Sequence, residues 1–444
     1  MRIVQAVGWY LPDRVGGTEI YVAALCRHLA AAGHQVLVAA PEAGAAAARA
    51  YDHEGVPVFR YPIPRAPTRA EAQGLVAVRG ADLLHGWLLR ERPDVVHFHT
   101  VGTGLGLAEI RAARAAGARV IATSHAASLG FTCLRGTMMR WGERVCDGIT
   151  RPRACAACAL EHRGVPRALA HAIASIPPRL GRHARRLSGR IGTALAMTDL
   201  VARNQILQRD LLALVDRFVV LTEWARRVLV ENGAPPAKLA LSRLGVDGSA
   251  FARKPCADER PTRRPVTVGY LGRFERIKGA PDLARAVASL PRDAAIRVEF
   301  RGPIADASDQ ACVRDLRALL DGDSRVAFAP AVAHEAVPGV LARYDVLCCP
   351  SVCLEGGPTV AIEAHAVGTP VIGTRIGGLA ELVDDGRSGR LVAPGDWRAL
   401  AGLLADIARD PATTVDRWRR SLPRARRMDE VAAEHLTLYE DALR

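Results

Sequence analysis

Lysine is nearly missing from this 444-residue chain: only Lys238, Lys254 and Lys278 stand among its 60 basic residues. With so much alanine beside the arginine, the net charge of +14 reads first as codon usage in a GC-rich genome. Aromatic residues make up 5%, and no basic stretch is interleaved with rings on which bases could stack. Nucleic acid is therefore not an expected partner. Long apolar runs are also lacking. LARYDVLCCP and RFVVLTEW fall short of the roughly 18 residues a membrane-spanning helix needs. The opening MRIVQAVGWYLP has neither a basic start nor a small-residue cleavage site, so the expected location is the cytoplasm. Ten cysteines are present, but most sit in apolar stretches, unlike the disulfide framework of a secreted protein.

What is there suggests two domains, since 444 residues at 49% hydrophobic exceed one compact core. RIVQAV, HQVLVAAP, PDVVHFHT and ARVIATSH read as strands separated by helical patterns such as TEIYVAALCRHLAAAG. The style returns in PVTVGYLGRF, AIRVEFRGP, RVAFAPAV, DVLCCPS and PVIGTR. Strands alternating with helices imply parallel sheets covered on both faces. The expected architecture is α/β, with two Rossmann-like, doubly wound domains facing one another across a cleft. The first would span 1–250, with an insertion at about 128–200, and the second 251–425. A last helix, 426–444, would pack back on the first domain. The polar stretch from Asp247 to Pro265 is the expected linker. In such sheets ligands bind beyond the carboxyl ends of the strands.

Two motifs in the second half carry chemistry. In YLGRFERIKG, Arg273 and Lys278 follow a strand end, where two cations could clamp a diphosphate and stabilise its departure; taken alone, a solvated loop explains them as well. In PSVCLEGGPTVAIEAHAVGTPVIGT, Glu355 precedes a Gly356-Gly357-Pro358 turn, with Glu363 eight residues on, about two turns further. A Gly-rich turn at a helix start leaves amides free for phosphate oxygens or sugar hydroxyls. Carboxylates suit vicinal hydroxyls, being acceptors only. The bland alternative is a capping Glu and a surface Glu.

Gly-Arg-Phe, Lys278-Gly279, the Glu355-to-Glu363 spacing and GTPVIGTRIGGLAELVDDGRSGRLVAPGD together resemble the C-terminal domain of family 4 glycosyltransferases of the GT-B fold. The likeness runs from about 265 to 410, and Gly16-Gly17 before Thr18 resembles that family's first Gly-rich loop. The resemblance implies a retaining enzyme that needs no catalytic metal and uses a nucleotide sugar (UDP-, GDP- or ADP-linked). It implies that Arg273 and Lys278 bind the diphosphate and that Glu355 contacts the transferred sugar beside the amides of Gly356 and Gly357. Thr359 and Val360 would lie by the phosphate, Glu363 would hold the ribose, and Gly16 and Gly17 would let the first loop approach the diphosphate. His125, at a strand end, would stand against the sugar and its reacting centre, although Ala126 and Ala127 follow where many relatives carry an acid. His99 would line the acceptor side or serve the core, like His97. The acceptor would be a glycan, a lipid-linked glycan or a small molecule, in a bacterial glycan pathway. A non-catalytic nucleotide-sugar-binding protein is the rival. An NAD oxidoreductase is not expected, because the G-x-G-x-x-G turn with its later acid is missing.

Two features lie outside that layout. Cys133, Cys146, Cys155 and Cys158 fall within 26 residues, a spacing compatible with structural zinc; an iron–sulfur cluster, disulfides or free thiols are the alternatives. From Arg163 to Arg190 there are seven arginines and no acids. That segment, broken by Pro177-Pro178, would serve either as a basic amphipathic helix lying peripherally on an anionic inner membrane face or as a solvated basic helix at the domain edge.

Overall fold

The computed structural model describes residues 1–13, 16–72, 76–126, 128–187, 189–248, 251 and 265–444. The expected linker, Asp247 to Pro265, lies mostly outside the described residues. Two compact units emerge. The first comprises Met1–Gly136, Asp147–Arg243 and Met428–Arg444; the second comprises Thr137–Cys146 and Leu244–Arg427.

In the first unit the strands are β1 (Arg2–Val7), β2 (Gln35–Ala43), β3 (Arg49–His53), β4 (Val56–Ile63), β5 (Val95–His99) and β6 (Arg119–Thr123). A short hairpin of the second unit, β7 (Met139–Arg140) with β8 (Arg144–Val145), comes next in the chain, followed by β9 (Arg217–Val220) and β10 (Leu239–Leu241). The first sheet is ordered β10-β9-β6-β5-β1-β2-β4-β3, parallel except for the β3–β4 pair. Every residue of β5 is buried, as its unbroken VVHFH requires when helices cover both faces. The helix Gly17–Ala31 stops before Gly33, whose φ of 86° is left-handed backbone that glycine takes without steric cost. The last helix, Met428–Leu443, belongs to this unit.

In the second unit β11 (Val266–Leu271), β12 (Ile296–Gly302), β13 (Val326–Pro330), β14 (Val346–Cys349), β15 (Val371–Thr374) and β16 (Gly389–Val392) form an all-parallel sheet ordered β13-β12-β11-β14-β15-β16. Cys348 and Ile372 pack into one apolar cluster with Tyr270 and Phe300. Their chain neighbours Cys349 and Val371 pack into the opposite cluster with Leu347 and Val383. Successive side chains thus fill both faces of the sheet. Strand order reverses between β11 and β14, where the diverging loops leave a crevice. In the first sheet it reverses between β1 and β5.

The Cys-bearing part of the insertion is more helical than its irregular sequence suggests. Pro152 opens a helix through His162, a position where the missing N–H costs nothing, and Ala156, Ala157, Ala159 and Leu160 bury its inner face. The basic segment forms three short helices, Arg167–Ala174, Pro178–Ala184 and Gly189–Leu195, the first two separated at Pro177-Pro178. Among the described residues no helix is long and apolar enough to cross a membrane.

Candidate functional site

The second unit builds its constellation at the β11/β14 switch point. After β11 the chain is pinned by Phe274, buried against Tyr270, and by the Tyr270 hydroxyl, which donates to the Arg273 carbonyl at 2.6 Å. Arg276–Lys278 make one tight turn, and Gly279 follows at φ 78°. A Cβ on Gly279 would lie 1.8 Å from the Pro350 carbonyl oxygen, so only glycine lets this loop lie against the end of β14. The Val352 amide donates to the Ile277 carbonyl at 2.8 Å and stitches the two loops together.

That stitching brings Lys278 Nζ to 3.0 Å from Glu355 Oε1. The same oxygen accepts a 2.6 Å hydrogen bond from the Ser351 hydroxyl, and Ser351 is itself held by Thr374, whose hydroxyl donates to the Ser351 carbonyl at 2.6 Å. Burial alone would lower the Lys278 ammonium, but Glu355 and its neighbours outweigh that and hold it above its ordinary value. Arg273 pairs with Glu275 and keeps 54% of its side chain exposed. It is the more exposed of the two cations, Lys278 keeping 32% of its side chain exposed.

The turn after Glu355 is shaped by a second glycine pair. The Gly378 amide donates to the Glu355 carbonyl at 2.9 Å. A Cβ on Gly377 would sit 2.6 Å from that carbonyl oxygen, and one on Gly378 2.5 Å from the Gly357 nitrogen. Gly356 and Gly357 are therefore held by bare backbone, with Gly357 at φ 124°. The helix opens at Thr359 and runs to Ala366. Its first-turn amides at Thr359 and Val360 form the positive end of the helix dipole. Glu363 is consequently one turn into the helix. The two turns expected from Glu355 shrink because Glu355–Pro358 is extended turn rather than helix. Burial pushes the Glu363 carboxyl up to about 7.

In the first unit Gly16 caps the helix Gly17–Ala31 in extended conformation, and a Cβ there would meet a Glu19 carboxylate oxygen at 2.5 Å. His125 follows β6. Its Nε2 lies 3.1 Å from His99 Nδ1, and His99 Nε2 lies 2.6 Å from Gln5 Oε1. The Gln5 amide nitrogen donates to the Tyr439 hydroxyl at 3.2 Å. His97 bridges Tyr439 and Thr123, both at 2.7 Å. His99 is fully buried, so it lies behind His125 and does not line an open acceptor surface. Burial, with the neighbouring histidines, holds His97 and His99 well below their ordinary values and lowers His125 to about 3.

Among the described residues no group of three or more His, Cys, Asp or Glu is placed to hold a metal ion. Cys155 accepts the Arg151 amide at 3.3 Å. Arg135 reaches Cys158 Sγ at 3.9 Å, and the Cys146 amide serves the Met138 carbonyl. Cys146 also clusters with the second unit while the other three belong to the first.

Sequence reasoning singled out Arg273, Lys278, Glu355 and Glu363 but not Ser351, Gly377 or Gly378. Their signal was present only as a Ser four residues before Glu355 and a Gly-Gly after the next strand. Gln5 and Tyr439 gave no signal at all, being 434 positions apart.

Two units, each built on a largely parallel sheet, one with a cation–carboxylate pair and a glycine-held helix start at its switch point, define a doubly wound α/β architecture. The structure resembles solved GT-B glycosyltransferases. HepE of Anabaena, solved with UDP and glucose, aligns at a TM-score of 0.62 and 15% identity over 99% of both chains. The sucrose-phosphate synthase of Thermosynechococcus elongatus aligns at 0.64 and 20% over 99% of both. The family model for group 1 glycosyl transferases matches residues 257–428, and that for Glycosyltransferase Family 4 matches 15–176. The 2-deoxystreptamine N-acetyl-D-glucosaminyltransferase of Streptomyces fradiae is 30% identical over 428 residues, covering 93% of this chain and 86% of that protein. The chain belongs to glycosyltransferase family 4 and has the GT-B fold. Shorter matches reach the D-inositol 3-phosphate glycosyltransferases of Mycolicibacterium vanbaalenii (34% over 221 residues) and Acidothermus cellulolyticus (33% over 269). These cover 45% and 56% of this chain, and the chain spans about half the length of those relatives, 47% and 59%.

Proposed function

We propose that the chain transfers a sugar, with retention at the anomeric carbon, from a nucleoside diphosphate donor to a hydroxyl-bearing acceptor. The observation that carries this reading is the Lys278–Glu355 pair at 3.0 Å, seated beside the Thr359 helix start. Lys278, Arg273 and the first-turn amides would bind the diphosphate and stabilise the charge it gains on leaving. Glu355 would accept from sugar hydroxyls and Glu363 from the ribose diol. Positive charge from side chains and helix dipole gives the leaving group its counter-charge, so the reading assigns no metal to the chemical step. The complex of HepE with UDP puts uridine donors first for trial. The acceptors named for the relatives, D-inositol 3-phosphate and 2-deoxystreptamine, are both hydroxylated six-membered carbocycles, which makes polyol rings a class to try beside glycans and glycolipids. A panel of UDP-, GDP- and ADP-sugars, scored for thermal stabilisation and then for nucleotide release with each acceptor class, tests the reading. Stabilisation without release under any acceptor would favour a binding protein.

We also propose that the basic segment rests on an anionic membrane surface. Leu169, Leu180, Leu187 and Ile191 are 51–73% exposed, and they alternate with the exposed Arg179, Arg182, Arg186 and Arg190. Apolar insertion combined with arginine attraction is the pattern of an interfacial anchor. Co-sedimentation with vesicles that does not depend on anionic lipid would reject this.

A further inference from the structure

His125 does not stand alone. Its ring is the outer end of a buried chain of hydrogen bonds whose proton positions can be worked out from the groups that cannot change role. The Gln5 carboxamide is the fixed point. Its nitrogen donates to the Tyr439 hydroxyl, so its oxygen faces His99 Nε2 at 2.6 Å, a separation suited to N–H···O. A carboxamide oxygen only accepts, so His99 carries its proton on Nε2. A neutral imidazole has one N–H, which leaves a lone pair on His99 Nδ1. That lone pair faces His125 Nε2 at 3.1 Å, so His125 is the donor and its own Nδ1 is left unprotonated.

We propose that Gln5 and His99 are positioning residues: they lock His125 as a neutral imidazole protonated on Nε2, keeping Nδ1 as an acceptor for a substrate hydroxyl. Only the final clause rests on the reading of His125 as a site residue; the lock itself does not.

The surroundings hold the cluster uncharged. The titratable groups facing His99 and His125 are His97 from β5, His435 and Tyr439 from the last helix, and Tyr21 from the helix Gly17–Ala31. The Tyr21 ring lies 5.0 Å from that of His125 and 6.0 Å from that of His99, and the His97 ring lies 4.1 Å from that of His99. None of these groups is an anion at neutral pH, and His97 and His99 are fully buried. Among the described residues, a proton added to His97 or His99 would therefore meet neither water nor a counter-charge. His435 is fixed in the same manner, its Nδ1 donating to the Val431 carbonyl at 2.8 Å. The lone pair of its Nε2 then faces the Tyr21 hydroxyl at 3.4 Å. A neutral His125 accepts from a hydroxyl without attracting the donor's phosphates, which suits a sugar or acceptor OH and not an anion.

The test is ring-nitrogen NMR on the full chain carrying 15N-histidine, with His125 assigned by loss of its signals in His125→Asn. The lock requires wild-type His125 to stay neutral from roughly pH 5 to 8, protonated on Nε2 throughout. Gln5→Glu supplies a carboxylate that charges His99, so both His99 nitrogens donate and the His125 proton must move to Nδ1. In that variant the tautomer should invert and kcat should fall by roughly tenfold or more, with the donor KM unchanged. A wild-type His125 that titrates in that range, or that carries its proton on Nδ1, overturns the proposal whether or not the variant folds. If the lock is seen while His125→Asn leaves transfer intact, the reading of His125 as a site residue fails and the lock stands.

Discussion

Lys278 and Glu355 form a 3.0 Å ion pair between the loops that follow β11 and β14, the two strands between which the strand order of the second sheet reverses. The ammonium is thus held in place before any diphosphate competes for it. Lys278→Ala should lower kcat by roughly 100-fold or more and remove thermal stabilisation by nucleoside diphosphates, while the unfolding transition of the free protein stays cooperative. Glu355→Ala should also abolish transfer but retain stabilisation by the nucleotide diphosphate alone. Steady-state kinetics with dye-monitored melting separates the two roles; near-full activity in either variant removes that residue from the site.

Glu363 links donor binding to protons. Its carboxyl is pushed from an ordinary value near 4.5 up to about 7 by burial. A ribose diol donates to the ionised form, so binding should lower this value and release a proton near neutrality. Affinity for a nucleoside diphosphate should rise between roughly pH 6 and 8. For the free protein the sign is opposite. The folded group holds its proton more tightly than the unfolded one, so its contribution is full below about 4.5 and is lost as pH rises through about 7. Calorimetry in two buffers of different ionisation enthalpy should show proton release in wild type and none in Glu363→Gln. Buffer-independent enthalpies in wild type would contradict this.

The histidine cluster should make the first unit acid-labile. His97, His99 and His125 all titrate below their ordinary value of 6.5 in the folded state, His125 near 3. Below pH 6.5 the unfolded chain takes up protons that the folded chain refuses. Stability is therefore full above that value and declines as pH falls toward 3, by up to ~1.4 kcal/mol per pH unit for each histidine. Denaturant unfolding at pH 7 and pH 5 should show the loss, and His97→Gln should reduce its slope. A midpoint unchanged over that interval would argue against a neutral buried cluster.

Gly279 offers a test of the loop stitching. It combines φ 78° with a Cβ position 1.8 Å from the Pro350 carbonyl oxygen, whereas Gly395, at φ 77°, has nothing within 4 Å of its Cβ position. Gly395→Ala should cost about 1 kcal/mol from backbone strain alone. Gly279→Ala should cost about 2 kcal/mol or more and should also impair donor binding by displacing Lys278. Equal effects of the two substitutions would mean that the Gly279 contact does not position the site.

The sequence reveals the central strands and the donor-side residues because both rest on local pattern. Apolar runs such as DVLCCPS read as buried strands, and Lys278-Gly279 lies in the loop that follows another, β11. Edge elements are less legible. The outer β3–β4 hairpin carries Pro57 and Pro62 in β4 and exposes Arg49 and Ala50 in the edge strand β3, so neither strand shows the alternation that pattern reading looks for. β16, only four residues with Gly389 at its start, gives too short a period. Arg163–Arg190 shows its charge and its first break, at Pro177-Pro178, but not the second, between Ala184 and Gly189. The Gln5–His99–His125 chain was invisible because its members share no spacing: they meet only when β1, β5 and β6 lie side by side in register.

The most direct test of the whole account is nucleotide release from a nucleotide sugar by the purified chain, wild type beside Lys278→Ala. The account requires at least one of the UDP-, GDP- or ADP-sugars to stabilise the wild type and to yield its free nucleotide only when a hydroxyl-bearing acceptor is added. Lys278→Ala should do neither. Release that proceeds equally well without Lys278, or no stabilisation by any donor of the panel, would contradict the placement of the donor site on the β11 and β14 loops.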